Sequence, residues 1–358
     1  MEKSSTDNSG TRSSNMELLR IAAMYMIVTF HGVVNSGVES AAFTPGKVAS
    51  MFYGIGGNLG VDLFFLISGY FLVRTDFRLY SIVKILLRVM FYSVTIYLVC
   101  CAFGIVEFDI ATFGLQFYTT IRMRYWFASI YVGILLIFPI LGAGFKTLSQ
   151  RAFILFLSAQ GFLFIILPTF FNRMLYQGEL PWALFVCSVG AYIRLYGLPL
   201  LDKKYLSLLL AAFATGFIFF YSVKHAVLAD FDESEKELAM FFRGKNTLPV
   251  FLAALGLFMF FKNLSVKNNR FINQVSSTTF GVYLIHENRI LRDMLWRFFF
   301  DENYLIFTWR FWYIAPAVGA IVFCACAAID VLREKTIGKL YGNYVKPLCE
   351  KAQLLIGL

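Results

Sequence analysis

Two side chains able to handle protons and anions stand in one apolar stretch near the start of the chain. Residues 15–35 read N-M-E-L-L-R-I-A-A-M-Y-M-I-V-T-F-H-G-V-V-N. Arg20 and His31 are eleven residues apart. At about 100° per residue, a helix returns the second to within roughly 20° of the first. Both then lie on one face, about 16 Å apart at ~1.5 Å rise per residue. Glu17, Met24, Ile27 and Asn35 fall on or beside the same stripe. Ionisable groups inside a membrane are costly and mark function by default. Histidine, with an unperturbed pKa near ~6.5, suits proton transfer at neutral pH. The plainer alternative is an arginine that snorkels to the interface and a histidine that only packs.

Other polar groups repeat the pattern. Residues 53–72 read Y-G-I-G-G-N-L-G-V-D-L-F-F-L-I-S-G-Y-F-L. Asn58, Asp62 and Gly69 share one helix face there. The glycines allow close helix approach. Asp62 needs a cation or donor, and Arg20 or His31 is expected to supply it. Ser68 reads as a helix–helix hydrogen bonder rather than a nucleophile. Further on, Ser276, Thr279, Tyr283 and His286 follow helical spacing. His31 and His286 are expected at similar depth. Zinc would need more converging ligands than Asp62 alone, so no metal is expected. The third histidine, His225, is expected to be solvated in an external loop. Lys84 and Arg88, four residues apart, follow Arg74 and Arg78. They are either ordinary positive-inside charge or an anion site for a phosphate-bearing donor.

These groups need a membrane bundle to hold them. Of 358 residues, 59% are hydrophobic and 15% charged, which excludes an ordinary soluble domain. Apolar runs predict ten spans near 17–35, 50–73, 82–102, 125–144, 152–171, 181–197, 206–222, 247–262, 272–290 and 312–332. The fold class is all-α, a polytopic transmembrane bundle. The net charge of +10 is spread through segments between apolar runs, which argues against nucleic acid. With the N-terminus inside, inner segments hold 19 lysines and arginines and outer ones 12, Arg20 set aside. Both termini are therefore expected in the cytoplasm. Residues 1–14 are expected to be a disordered tail, 15–335 one transmembrane unit, and 336–358 a basic tail along the inner leaflet. No cleavable signal peptide is expected. The six cysteines read as free thiols or small membrane residues. The 223–246 loop should carry a short surface helix, capped through Ser234 and Glu237. The aromatic segment 291–311 should form an interfacial belt.

Several of these stretches resemble one family. The first-span Arg, ten residues, His pattern is similar to that of integral-membrane acyltransferases of the acyltransferase-3 type. So are G-V-D-L-F-F-L-I-S-G-Y-F-L in the second span, Y-W-F-A-S-I-Y-V-G-I-L-L-I-F-P-I-L in the fourth and F-G-V-Y-L-I-H in the ninth. The blocks cover nearly the whole chain in order. The resemblance implies that Arg20 and His31 are essential and that Asp62 is a site residue. It implies a basic donor motif after the second helix. Here Lys84 replaces one usual arginine, and Ile85 stands where another basic residue is common. Some members carry a fused extracytoplasmic hydrolase-like domain, and none is expected here. The implied reaction moves an acetyl or other short acyl group from acyl-CoA to a hydroxyl of a cell-surface glycan or lipid-linked sugar, at the plasma membrane. Lys84, Arg88, Tyr70 and Arg74 are assigned to the donor. His286, Tyr283, Trp126 and Arg124 are assigned to the acceptor. His31 is the expected general base, with Asp62 fixing its tautomer. The alternative is a transporter or channel lined by the polar stripes, but the paired half-repeats common in transporters are not evident.

Overall fold

The structure, a computed structural model, describes residues 13–40, 42–171, 178–300 and 304–356. The expected disordered tail falls almost wholly outside the described residues. Helices begin where the sequence offers caps. Thr44 accepts from the Lys47 amide with Pro45 at the first helical position, and Ser149 accepts from Ala152. Asn269 accepts from both Phe271 and Ile272. Gly197, at φ 75°, closes a helix by donating to the Ile193 carbonyl.

Every regular element among the described residues is helical. In chain order they are α1 (Ser14–Val34), α2 (Pro45–Gly54), α3 (Gly56–Leu72), α4 (Leu79–Ala102), α5 (Ile110–Leu115), α6 (Trp126–Thr147), α7 (Gln150–Gly161) and α8 (Leu167–Phe171). Then come α9 (Glu179–Tyr196), α10 (Lys204–Leu228), α11 (Glu235–Phe241), α12 (Leu248–Lys262), α13 (Arg270–His286), α14 (Arg289–Phe300), α15 (Phe311–Arg333) and α16 (Lys346–Leu355).

Among the described residues, seven helical segments are long and apolar enough to cross a membrane: Ser14–Val34, Pro45–Leu72, Leu79–Ala102, Trp126–Thr147, Gln150–Phe171, Lys204–Leu228 and Phe311–Gly338. The other three predicted spans are helices too, namely α9, α12 and α13, of 18, 15 and 17 residues. They fall short of the seven in length or apolarity.

The centre of the bundle is α1. It runs antiparallel to α3 and α15 and parallel to α13. At its start, Asn15 donates to the carbonyls of Phe261 and Lys262 at the end of α12. Toward its other end, Tyr25 donates to the Pro316 carbonyl in α15. Small residues permit the closest crossings. A Cβ on Gly69 of α3 would lie 1.8 Å from the Cys187 carbonyl oxygen of α9, and one on Gly190 would lie 2.2 Å from that of Leu66. No side chain fits there.

Three loop expectations change. His225 is not solvated in a loop. It is buried in the last turn of α10 and pairs with Glu235 at the start of α11. The short helix α11 forms, but Ser234 does not cap it, because its hydroxyl donates to Asp232 instead. The 291–311 segment is more than a belt. Its α14 buries Trp296 and Phe300 while Phe298 stays exposed. The final helix α16 is fastened to the start of α4, with Gln353 bonded to Leu79 and Phe77.

Candidate functional site

Register at one end of α1 and α13 sets the chemistry at the other. Ser14 bonds the Asn269 amide at 2.9 Å and Asn273 at 3.0 Å. Seventeen residues further along both helices stand His31 and His286. Equal spacing on two parallel helices brings the rings level, roughly 26 Å from the anchor. His31 Nδ1 lies 2.9 Å from His286 Nε2.

The partners fix the protons. His286 Nδ1 lies 2.6 Å from the Val282 carbonyl, which can only accept. That nitrogen therefore carries the hydrogen, and neutral His286 leaves Nε2 as an acceptor. His31 Nδ1 must then be the donor between the rings. The lone pair of neutral His31 is left on Nε2. His286 is fully buried, whereas His31 is partly open.

Glu287, the residue after α13, completes the arrangement. Its Oε1 lies 3.3 Å from His31 Nδ1, and its Oε2 lies 3.8 Å from Arg292. A proton arriving on His31 Nε2 would make an imidazolium whose Nδ1–H already faces a carboxylate. From above, α14 covers the pair. Trp296 sits 6.4 Å from the His286 ring, and a Cβ on Gly32 would come within 3.1 Å of the Trp296 ring. Sequence reasoning missed Glu287. Its only signal was its place directly after the histidine.

The ligand atoms of His31, His286 and Glu287 lie within 4.8 Å of one another. Two histidines and a carboxylate can hold zinc. A metal there would use the same two nitrogens that otherwise share the hydrogen bond, so the two arrangements exclude each other.

His31 lines a cavity of about 130 Å³ with Met24, Ile27, Phe30, Asn58, Phe64, Trp126, Phe127 and Tyr283. Three predicted site residues, His31, Trp126 and Tyr283, are thus brought together, with His286 directly behind. Asp62 is not among them. It is fully buried, accepts from Trp182 Nε1 at 2.9 Å, and has no contact with His31 or Arg20 among the described residues. The expected tautomer-fixing role falls to His286. The reason is rotational: Asp62 points from α3 toward α9, whereas His31 points toward α13.

Arg20 pairs with Glu17 at 2.6 Å and sits 5.3 Å over the Phe71 ring. Tyr70 accepts from Arg194 of α9 at 3.0 Å. Arg74 lies exposed just past α3. Arg88 is buried and bonded to Asp330 of α15. Tyr92 donates to the same carboxyl at 2.6 Å, and Arg333 at 2.8 Å. Lys84 reaches Glu334 at 3.3 Å. The two predicted donor cations on α4 are therefore paired, Arg88 with Asp330 of α15 and Lys84 with Glu334 just past its end. Arg194, Asp330 and Arg333 carried no motif that singled them out. Arg124 lies outside the His31 cavity, in a cleft beside it.

Comparison with known proteins gives one family. An acyltransferase-3 family model, described as an acyltransferase domain, matches residues 13–331. No curated protein and no solved structure matches.

Proposed function

Because the chain belongs to the acyltransferase-3 family, we propose that this multi-pass membrane protein is an O-acyltransferase with His31 as general base. The donor is acyl-CoA, and acetyl-CoA first of all. The acceptor is a hydroxyl of a cell-surface glycan or lipid-linked sugar. One observation carries the reading: the His31–His286 hydrogen bond, which leaves His31 Nε2 as the free base of a small cavity.

In the proposed step, Nε2 takes the acceptor's hydroxyl proton as its oxygen attacks the thioester carbonyl carbon. The carbon–sulfur bond breaks, and the imidazolium returns the proton to the departing thiolate. The products are an ester and free coenzyme A. Base assistance of this kind is worth ~10²–10⁴-fold. His286 holds the tautomer and Glu287 faces the charge that forms. A cavity of about 130 Å³ suits an acetyl thioester better than a long acyl chain.

The nucleotide belongs at the opposite end of α1. Arg20, Tyr70, Arg74, Lys84 and Arg88 are the proposed donor contacts there. Tyr283, Trp126 and Arg124 are the proposed acceptor contacts. The same reading places ten spans in the plasma membrane with both termini in the cytoplasm, so the donor enters from inside and meets the acceptor near the outer face. The test is transfer from radiolabelled acetyl-CoA by purified protein in the absence of any ion gradient. Label in an ester product supports the reading. Uptake of solute without acyl transfer would replace it with transport.

A further inference from the structure

The cleft holding Arg124 has an unusual charge balance. Arg124 ends a tight turn in which Met123 sits at φ 53°, the left-handed region that a long L side chain rarely adopts. The turn is held by amide bonds from Met123 to Thr120 and from Arg124 to Thr119. Across the cleft, Arg289 opens α14, a helix of 12 residues. Both arginines line the cleft together with Ser93, Thr119, Tyr125 and Asn288. No carboxylate lines it among the described residues. Neither Arg124 nor Arg289 makes an ion pair among the described residues. Burial first, then the charges of Arg122 and Arg289, hold the Arg124 guanidinium below arginine's usual pKa. The nearest acid in sequence, Glu287, is occupied with His31 and Arg292.

Arg124 is half-buried and Arg289 exposed, so solvent screens part of their repulsion, and an anion between them would remove the rest. The N-terminal end of α14 adds a little to the positive field, with its Ile290 amide already capped by Asn288. The cleft is also tied to the catalytic cavity. Asn288 donates to the Tyr125 hydroxyl at 2.8 Å, and Tyr125 donates to the Leu284 carbonyl at 3.1 Å. Asn288 stands two residues from His286, and Tyr125 adjoins Trp126. The Tyr125 and Tyr283 rings, 6.0 Å apart, form the partition between cleft and cavity.

We infer that Arg124 and Arg289 bind an anionic group of the acceptor, a carboxylate or phosphate ester on the sugar, while a neutral hydroxyl of the same molecule reaches His31. This inference rests on the acyltransferase reading and narrows its substrate class to acidic acceptors. The planar forks of two arginines match the oxygens of either anion. The cleft holds only about 20 Å³, so the anion would sit at its mouth beside exposed Arg289, leaving the sugar ring to Trp126 and the neighbouring cavity.

The test uses full-length protein in discs of zwitterionic phosphatidylcholine. Two probes are titrated: a tetrasaccharide of alternating glucuronic acid and N-acetylglucosamine, and the same chain with its carboxyls reduced to alcohols. The acidic probe is expected to bind about tenfold more tightly, a difference of ~1.4 kcal/mol. The Arg124→Gln/Arg289→Gln variant should lose that preference while its acetyl-CoA affinity reports an intact fold. If this variant does not fold, Arg124→Lys/Arg289→Lys keeps the charge and should keep part of the preference. Acetate and inorganic phosphate are then compared as competitors. Stronger displacement by phosphate assigns a phosphate ester, and stronger displacement by acetate a carboxylate. Equal binding of both probes to wild type, or a preference that survives in the glutamine variant, overturns the inference. Preferential acidic binding by a protein that never consumes acetyl-CoA would keep this site and remove the acyltransferase reading.

Discussion

A base is only as good as the atoms that decide which of its nitrogens is free. His31→Ala should abolish acyl transfer yet leave acetyl-CoA affinity close to wild type, measured by single turnover and by equilibrium binding. Rapid transfer by a well-folded His31→Ala protein would sink the mechanism. His286→Gln replaces the ring acceptor with an amide oxygen, so it should retain measurable activity at about a tenfold loss. His286→Leu offers no acceptor and should lose more, approaching the ~10²–10⁴-fold typical of general-base help. Glu287→Gln keeps the shape and removes the charge facing Nδ1. It should lower kcat on the order of tenfold with little change in KM. Activity should also survive a strong chelator, since the proposed mechanism uses the two facing nitrogens for a hydrogen bond and not for a metal. Sequence spacing brought out His31, His286 and their shared depth. It could not show that they touch, because the contact depends on the registry of two helices 255 residues apart. It also misjudged Asp62, whose partner Trp182 stands 120 residues away on a helix with no polar stripe to announce it.

Helices are held together here by two different devices, and each can be broken separately. Between α4 and α15 the device is ionic. Asp330→Asn leaves the buried Arg88 guanidinium unpaired, at a cost of about 3–5 kcal/mol, whereas Arg88→Gln should cost less because Tyr92 and Arg333 still hold Asp330. Melting in detergent should show the loss. Arg88→Met/Asp330→Leu should recover part of it, since Tyr92 and Arg333 still lose their shared carboxyl. If acetyl-CoA affinity returns with the stability, these groups are structural. If affinity stays lost in the recovered pair, Arg88 also serves the donor. Between α3 and α9 the device is steric. Gly69→Leu should prevent folding because the Cys187 carbonyl occupies the space. The helices themselves were largely legible, since each of the ten predicted spans contains one. Their status as crossings was less so. α12 has 15 residues and rises ~22 Å, short of the ~30 Å hydrocarbon core. α13 is polar because its face is spent on α1 and α15. Hydropathy reads composition, whereas burial inside a bundle depends on neighbours far away in sequence.

For the whole protein, orientation is the open quantity that a chemical label can read. Ser234 and Lys339 are exposed at opposite ends of the bundle. The basic asymmetry of 19 to 12 predicts that Ser234→Cys reacts with an impermeant thiol reagent on intact cells and that Lys339→Cys does not. The reverse pattern would overturn the orientation and, with it, the side from which the donor enters. The pairing of α1 with α13 also has a consequence for how the protein is made. His31 leaves the ribosome early and His286 late, with 255 residues between them. At ~5–20 residues per second, that is roughly 13–50 s of synthesis. Throughout it, the first helix already sits in or near the translocation machinery with its polar stripe unmatched. A chain stalled before α13 therefore leaves His31 without its partner ring and the Glu17–Arg20 pair without the bundle around it, a costly state inside a membrane.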